Sequence, residues 1–466
     1  MSFKPVRRYI ILSSVLFILV VSWIVFLSQV QRDNSAKSSI ILIFADSLRP
    51  DHLGCYGYGK NTSPNIDQFA KDAMLFENCF SHAPETRLSY ASILTGFLPH
   101  EAKLSENIML PSEVKTLPEI LQELGYKTVA VIGNYLLSKG KGWEQGFMIY
   151  DDAMNQYELI RQLPERTARY TTDRAIELIK QFHQDHLFMW IHYQDTHGPY
   201  TPPEPFKHLF QNPDQKPYYL KINESLSGRG GIPSYQNLGI YPDFYYYLSQ
   251  YDGEIAYLDQ HVGRLIDALK ESGLYENALI IFSSDHGEGM GEHNYYFAHG
   301  ENLYNSLIHV PLIIKYGQQL TGKRIDFVQH IDIIPTIFNL LGLKMDSRFR
   351  GHDLHQEHRE GKEIFSEMDS LLVEDKIKFS LISNGFKLIY TPLSKQYQLF
   401  DLKTDPSEKN DLILIGKPND QQQVENLKMR LQHVCKQDFL GIQLMHNPSH
   451  LTTEEREKIK SLGYVR

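Results

Sequence analysis

The chain has 466 residues, a formal net charge of −9 and 42% hydrophobic residues. That acidic balance, with no basic block, excludes a general attraction for nucleic acid, and no nucleic-acid partner is expected. Its three cysteines, Cys55, Cys79 and Cys435, are too few and odd in number for a dense disulfide framework, and no Cys or His spacing fits a zinc finger.

Residues 9–28 are almost wholly apolar and uncharged, close to the length of one bilayer-spanning helix. Lys4, Arg7 and Arg8 precede this stretch, while Arg32 and Lys37 after it are partly offset by Asp33. The positive excess predicts a cytoplasmic segment at residues 1–8 and a transmembrane signal anchor at 9–28. A cleaved signal peptide is the rival reading, but the exit through residues 26–32 offers no small-x-small cleavage site. Residues 29–38 read as a polar linker. The protein is then a single-pass membrane protein with its body periplasmic or extracellular.

Residues 40–45 form an uninterrupted apolar run ending in Asp46, the pattern of a strand buried on both faces. A helix is predicted from Pro64 with Ser63 as its cap, followed by a strand at 74–80. A helix beginning near Ser89 stops at Gly96, and another over 117–124 ends at Gly125. Strand 128–132, helix 167–182 and strand 187–193 come next. Residues 206–241, rich in Pro, Gly, Asn and Tyr, read as a loop or lid over the site. The long amphipathic helix 246–274 precedes strand 278–282, which runs into Ser283-Ser284-Asp285-His286-Gly287-Glu288. Strand 310–314 and helix 332–341 follow, the helix with Pro335 in its first turn and Gly342 past its end. Beyond Phe349 the pattern changes to short strands at 387–390 and 398–402, then a helix over 421–435 and a tail.

Alternating strands and helices predict an α/β fold: a mostly parallel central sheet flanked by helices in residues 39–348, and a small C-terminal subdomain with an antiparallel sheet in 349–466. Ligands of such sheets bind at the carboxyl ends of the strands. Two strands would therefore deliver Asp46, Asp285 and His286 to one edge. Carboxylate oxygens with one imidazole nitrogen suit a divalent cation such as Ca, Mg, Mn or Zn. Taken singly, Asp46 and Asp285 also fit a helix cap or turn.

The order of motifs resembles the sulfatase family of the alkaline phosphatase superfamily. The resemblance is carried by Ala45-Asp46-Ser47-Leu48-Arg49-Pro50-Asp51-His52-Leu53-Gly54-Cys55-Tyr56-Gly57, by Thr62-Ser63-Pro64-Asn65-Ile66-Asp67 and by Ser92-Ile93-Leu94-Thr95-Gly96. It continues through Asp195-Thr196-His197-Gly198-Pro199-Tyr200, Ser284-Asp285-His286-Gly287-Glu288 and Val310-Pro311-Leu312, and into Lys387-Leu388-Ile389-Tyr390 and Leu399-Phe400-Asp401-Leu402. It implies an alkaline-phosphatase-like sandwich, a metal-dependent ester hydrolase and an anionic ester substrate.

The departures are informative. Sulfatases carry Cys or Ser in C-x-P-x-R, converted to formylglycine. Counting back from Gly96, the positions of that Cys, Pro and Arg hold Thr86, Leu88 and Tyr90. Ser47 stands for the second Asp of the usual pair. Relatives with Thr at this position resemble phosphoethanolamine and phosphoglycerol transferases and phosphoesterases. The resemblance thus implies Thr86 as nucleophile and metal contact beside Asp46, Asp285 and His286. Without the resemblance, Thr86 reads as a helix N-cap. Ser89 is the fallback nucleophile.

His197 and His299 are candidates for leaving-group contact, each able to act as a general acid or to bind a substrate oxygen. His52 and His100 are read as structural. The Asp-x-x-x-His element of two-metal relatives is missing, since Asp252 is followed by Ala256, so one metal ion is expected. The expectation is a membrane-anchored esterase or transferase acting on phosphate esters, with a cell-envelope glycan or lipid as candidate partner. The alternatives are a sulfuric ester hydrolase and a non-catalytic binding protein on the same fold.

Overall fold

The computed structural model describes residues 38–434 apart from 105–108, 240–241, 318–319, 357–361, 369–376 and 417–421. The expected anchor at 9–28 lies outside the described residues, as do Cys435 and the tail. Among the described residues no helix is long and apolar enough to cross a membrane.

Strands β1 (Ile40–Ala45), β2 (Met74–Phe80), β3 (Lys127–Val131) and β4 (Ile149–Asp151) are followed by a small hairpin, β5 (Gln156–Tyr157) and β6 (Pro164–Glu165). Then come β7 (Leu187–Tyr193), β8 (Leu279–Ser284), β9 (His309–Tyr316) and β10 (Gly322–Gln329). Apart from the hairpin these form one eight-stranded sheet, ordered β10-β2-β9-β8-β1-β7-β3-β4. β9 runs antiparallel to β2 and β8, and every other pairing is parallel.

Among the described residues seven α-helices pack around it: α1 (Pro64–Lys71), α2 (Thr86–Thr95), α3 (Leu117–Glu123), α4 (Ala168–Phe182), α5 (Phe244–Glu271), α6 (Asn305–Ile308) and α7 (Ile333–Leu340). The unbroken apolar run of β1 is explained by two covered faces. Ile40, Leu42 and Phe44 enter one core with Leu88 and Leu94 of α2, Leu121 of α3 and Ile337 of α7. Ile41, Ile43 and Ala45 enter the other with Phe69 of α1, Leu178 of α4 and Leu258 of α5. Each fully buried Leu or Ile stabilises the fold by about 1.5–3 kcal/mol.

Three expectations need correction. The helix placed near Ser89 starts at Thr86, because Glu85 caps it: the Glu85 carboxylate accepts from Arg87 N at 3.2 Å and from Leu88 N at 3.1 Å. Glu is outside the preferred capping types, which hid the start. The long helix begins earlier, at Phe244, after Asp243 as its cap. Two strands of the main sheet were missed, β4 and β10, and both lie at its edges. Edge strands are short or carry charge, as Lys323 and Arg324 of β10 do, and so lack the apolar signature.

Strands β11 (Glu363–Met368), β12 (Lys378–Ser383), β13 (Phe386–Thr391) and β14 (Gln396–Asp401) form an antiparallel meander. One face packs Ile364, Ile382 and Phe400 on Leu303 and Leu307, and the other packs Leu381, Leu388 and Leu399 on Leu427 and Leu431 of the helical residues 422–434. β11 also holds the segment leading to Thr86. Glu367 N donates to His82 O at 2.8 Å, Ser366 Oγ to Ser81 O at 2.7 Å, and His82 Nδ1 to Phe365 O at 2.6 Å.

Candidate active site

The carboxyl ends of the parallel strands converge on one pocket. β1 delivers Asp46, β8 delivers Asp285 and His286, and the turn after β3 delivers Asn134. His192 stands in β7 opposite Phe44, two residues before Asp46. The segment after β2 brings Thr86, at the first position of α2 rather than at its cap. The structure brings Asp46, Thr86, Asp285 and His286 together at this edge of the sheet.

Asp46 and Asp285 are held from behind. Ser47 Oγ donates to Asp46 Oδ1 at 2.9 Å and Asn134 Nδ2 to Asp46 Oδ2 at 2.6 Å. Ser47 N donates to Asp285 Oδ1 at 3.1 Å, which requires the left-handed backbone of Ser47 at φ 56°. The residue in place of a second Asp thus orients both carboxylates. Asp46, His192 and Asp285 bring donor atoms within 4.8 Å of one another. His286 Nε2 lies 3.7 Å from Asp46 Oδ1, 3.5 Å from Asp285 Oδ2 and 3.3 Å from Thr86 Oγ1.

The tautomer of His286 follows from its neighbour. Nδ1 lies 2.9 Å from Gly287 O, so it carries the proton and leaves the Nε2 lone pair facing the carboxylates. Burial pushes Asp46 up to about 8, with Asp285 adding to it, and pushes Asp285 up to about 7. Burial pushes His192 down to about 3, and burial with His299 beside it pushes His286 down to about 4. Asp285 Oδ2 and both ring nitrogens of His192 are buried without a hydrogen-bond partner. Neutral imidazoles and crowded carboxyls with open donor atoms fit a divalent cation. Asp46, Asp285, His286 and His192 would hold it, with Thr86 beside them.

On the other side stand the two remaining histidines. The His286 and His299 rings lie 4.4 Å apart and those of His299 and His197 5.1 Å apart. Glu288 orients His299: Oε1 lies 3.3 Å from His299 Nδ1, while Oε2 accepts from Tyr200 Oη at 3.0 Å. Burial pushes Glu288 up to about 8, so its protonated form can donate to Nδ1 and leave Nε2–H facing the pocket. His197 is held in the opposite tautomer, with Nδ1–H on Gly198 O at 2.7 Å and a bare Nε2. Burial lowers both imidazoles, His299 to about 4 with Arg161 contributing, so in the resting site one is a hydrogen-bond donor and the other a base.

Parts of the predicted loop 206–241 do reach the site. Tyr235 stacks on His197 at 6.5 Å between centroids, and the Arg161 guanidinium lies 4.4 Å over Tyr235. The fallback Ser89 is committed elsewhere, its Oγ donating to Asp285 O at 2.6 Å. His52 is paired with Asp252 at 2.8 Å and His100 with Glu367 at 2.9 Å, away from the pocket.

Sequence reasoning missed His192, Asn134 and the orienting role of Glu288. For His192 and Asn134 a signal existed: a lone imidazole inside an otherwise apolar central strand, and an amide just past the end of β3.

Residues 38–343 match the family model "Sulfatase", and residues 291–437 match "N-sulphoglucosamine sulphohydrolase, C-terminal". Human iduronate 2-sulfatase is 26% identical over 420 residues, covering 72% of this chain and 75% of that protein. The N-acetylglucosamine-6-O-sulfatase of Bacteroides thetaiotaomicron is 22% identical, covering 87% and 88%. Among solved structures, the phosphonate monoester hydrolase of Silicibacter pomeroyi superposes with a TM-score of 0.70 at 18% identity, over 90% of this chain and 98% of that one. A protein solved with its substrate D-glucosamine-2-N,6-O-disulfate gives a TM-score of 0.70 at 20% identity, over 86% and 98%. These likenesses show a common fold. With the Sulfatase model spanning well over half of its length, the chain belongs to the sulfatase family.

Proposed function

We propose that this sulfatase-family hydrolase acts on phosphate esters through a covalent intermediate on Thr86, releasing or transferring the phosphoryl group. The carrying observation is the place of Thr86: fully buried at the first turn of α2, its Oγ1 3.3 Å from His286 Nε2 at the metal-binding cluster. Leu88 and Tyr90 stand where a formylglycine motif would need Pro and Arg. Tyr90 is fully buried against Phe44, Trp190 and His192, filling that space with an aromatic ring.

The chemistry balances on phosphorus. Thr86 Oγ forms a bond to phosphorus as the bond to the leaving alcohol breaks, and the proton given up by the Thr86 hydroxyl balances the one that the alcohol takes up. Water or an acceptor alcohol then attacks phosphorus, breaks the Oγ–P bond and restores Thr86. A divalent ion bound by Asp46, His192, Asp285 and His286 would lower the hydroxyl pKa and neutralise charge on the phosphoryl oxygens. The Nε2–H of His299 donates to the leaving oxygen, and the bare Nε2 of His197 takes the proton of the incoming hydroxyl. A Thr sulfate has no elimination route such as formylglycine provides, which supports phosphate over sulfate.

The reading includes an anchor at residues 9–28 that holds the catalytic body outside the cytoplasm. Ser38 enters at the amino end of β1, and Asp46 lies about 26 Å away along the strand at its carboxyl end. A site on the face opposite the attachment point supports a glycan or soluble ester over a lipid of the same leaflet.

The test is mass spectrometry of the Thr86 peptide after exposure to a slow aryl phosphate, with aryl phosphate and aryl sulfate compared as substrates. A phosphate-sized adduct on Thr86, absent in Thr86→Ala together with nearly all turnover, is expected. A clear preference for sulfate without an adduct overturns the proposal in favour of a sulfuric ester hydrolase.

A further inference from the structure

A second cavity of about 250 Å³ adjoins the leaving-group side of the site, and His197 lines both. Its other walls include Glu165 of β6, Gln194 and Asp195 just past β7, and Glu254 and Tyr257 of α5. The surroundings are acidic. Glu254 Oε1 accepts from Thr201 N at 2.6 Å, Asp195 Oδ1 from Ala168 N at 2.8 Å, and Glu165 Oε1 from Gln156 Nε2 at 2.7 Å. The buried Asp195 Oδ2 has no hydrogen-bond partner. Gln194, only 5% exposed, also keeps its buried Oε1 without one.

Two arginines lie along the same wall, each paired with an acid outside the cavity, although the buried Nε of Arg166 has no hydrogen-bond partner. Arg166 Nη1 is bonded to Asp151 Oδ1 at 2.7 Å, and Arg169 is 69% exposed with Asp173 at 3.9 Å. Burial and mutual repulsion push Asp195 up to about 7 and raise Glu254. Three acids therefore line one cavity in which Asp195 Oδ2 and Gln194 Oε1 remain open acceptors, against one arginine whose Nη1 is already paired with Asp151.

We propose that this cavity binds the ammonium group of an amino-bearing leaving alcohol, so that the enzyme selects esters of amino alcohols or amino sugars. The assignment of the cavity to the leaving group rests on the reading above, in which the incoming hydroxyl met by His197 takes the place that the leaving alcohol has vacated. An organic ammonium fits better than a bare metal ion. Among the described residues, the only three acid, His or Cys groups with donor atoms within 4.8 Å of one another are Asp46, His192 and Asp285. The cavity is also far larger than the roughly 30 Å³ share of one water. It admits a small organic cation with some water around it.

Calorimetry on the full-length, metal-loaded protein tests this with ethanolamine against 1-propanol and glucosamine against glucose. Each ammonium ligand is expected to bind at least about tenfold more tightly than its neutral partner. Glu254→Gln, which can still accept from Thr201 N, should remove most of that preference, and millimolar Ca²⁺ should not compete. Equal binding of charged and neutral partners, or displacement by Ca²⁺, overturns the proposal. Because the wild-type pairs carry the comparison, a misfolded variant does not rescue it. The preference should persist in Thr86→Ala. An adduct on Thr86 without ammonium selectivity sinks the cavity proposal alone, and selectivity without an adduct sinks the Thr86 reading alone.

Discussion

Two buried charge clusters in this molecule are built on opposite plans. In the C-terminal sheet, Lys387 Nζ lies 2.7 Å from Glu408 Oε1 and 2.9 Å from Asn305 Oδ1, with the paired side chains 0% and 1% exposed. At the carboxyl edge of the large sheet, Asp46, His192 and Asp285 are as deeply buried, yet Asp285 Oδ2 and both His192 nitrogens are left open. The first cluster pairs opposite charges within the chain, although Glu408 Oε1 meets Lys387 Nζ as an ion pair without hydrogen-bond geometry. The second gathers donors of one kind and leaves them unsatisfied, which is costly unless a cation completes them. The contrast separates a buried charge that serves structure from one that serves function.

The largest effect is expected at the open cluster. Asp285→Ala should remove bound metal, measured by elemental analysis, and lower turnover by about 10³-fold or more. Its melting temperature in the metal-free form should change little, because removing a carboxyl that burial disfavours offsets the acceptor lost to Ser47 N and His286 N. Full metal content and turnover in this variant would break the distinction between the clusters.

The closed pair should respond in the reverse manner. Lys387→Met leaves Glu408 buried and uncompensated and should cost about 3–5 kcal/mol in denaturant unfolding. The double variant Lys387→Met/Glu408→Leu should return most of that stability. Activity per folded molecule should stay at the wild-type level in both. A Lys387→Met variant as stable as the parent would show that the pair is no tighter than a surface contact.

The parallel core was legible because burial on both faces writes itself into sequence as apolar runs, unbroken in Ile40–Ala45 and interrupted only by His192 in Leu187–Tyr193. The edge strands β4 and β10 were not legible, because one side of each meets solvent and tolerates Lys323 or Arg324. The carboxylates at strand ends stood out, since a charge directly after an apolar run has few structural uses. His192 did not, because it lies inside such a run and its partners Asp46 and Asp285 are distant in sequence. The start of α2 was obscured for a related reason: Glu85 performs a capping role that composition assigns to smaller residues. Register and chain crossing, which no local pattern carries, decide the case of His192.

The smallest effect sharpens the comparison through pH. In the metal-free protein Asp46 and Glu288 are raised to about 8, so the native state holds protons that the unfolded chain releases near its ordinary carboxylate range. Stability from these groups is therefore lost as pH rises toward 8. The buried imidazoles act in the opposite sense: His192 at about 3 and His286 at about 4 make the native state bind fewer protons than the unfolded chain below 6.5. The two trends oppose each other in acid. Above 6.5 the imidazoles are neutral in both states, and only the carboxyls still titrate differently. Metal-free protein should thus lose stability between about pH 6.5 and 8. A saturating divalent ion, which favours the ionised carboxylates, should flatten or reverse that slope, and its stabilisation should grow with pH over the same window. The measurement is denaturant unfolding at several pH values with and without the ion. A slope that is the same in both conditions would mean that Asp46 and Asp285 are not where the ion binds.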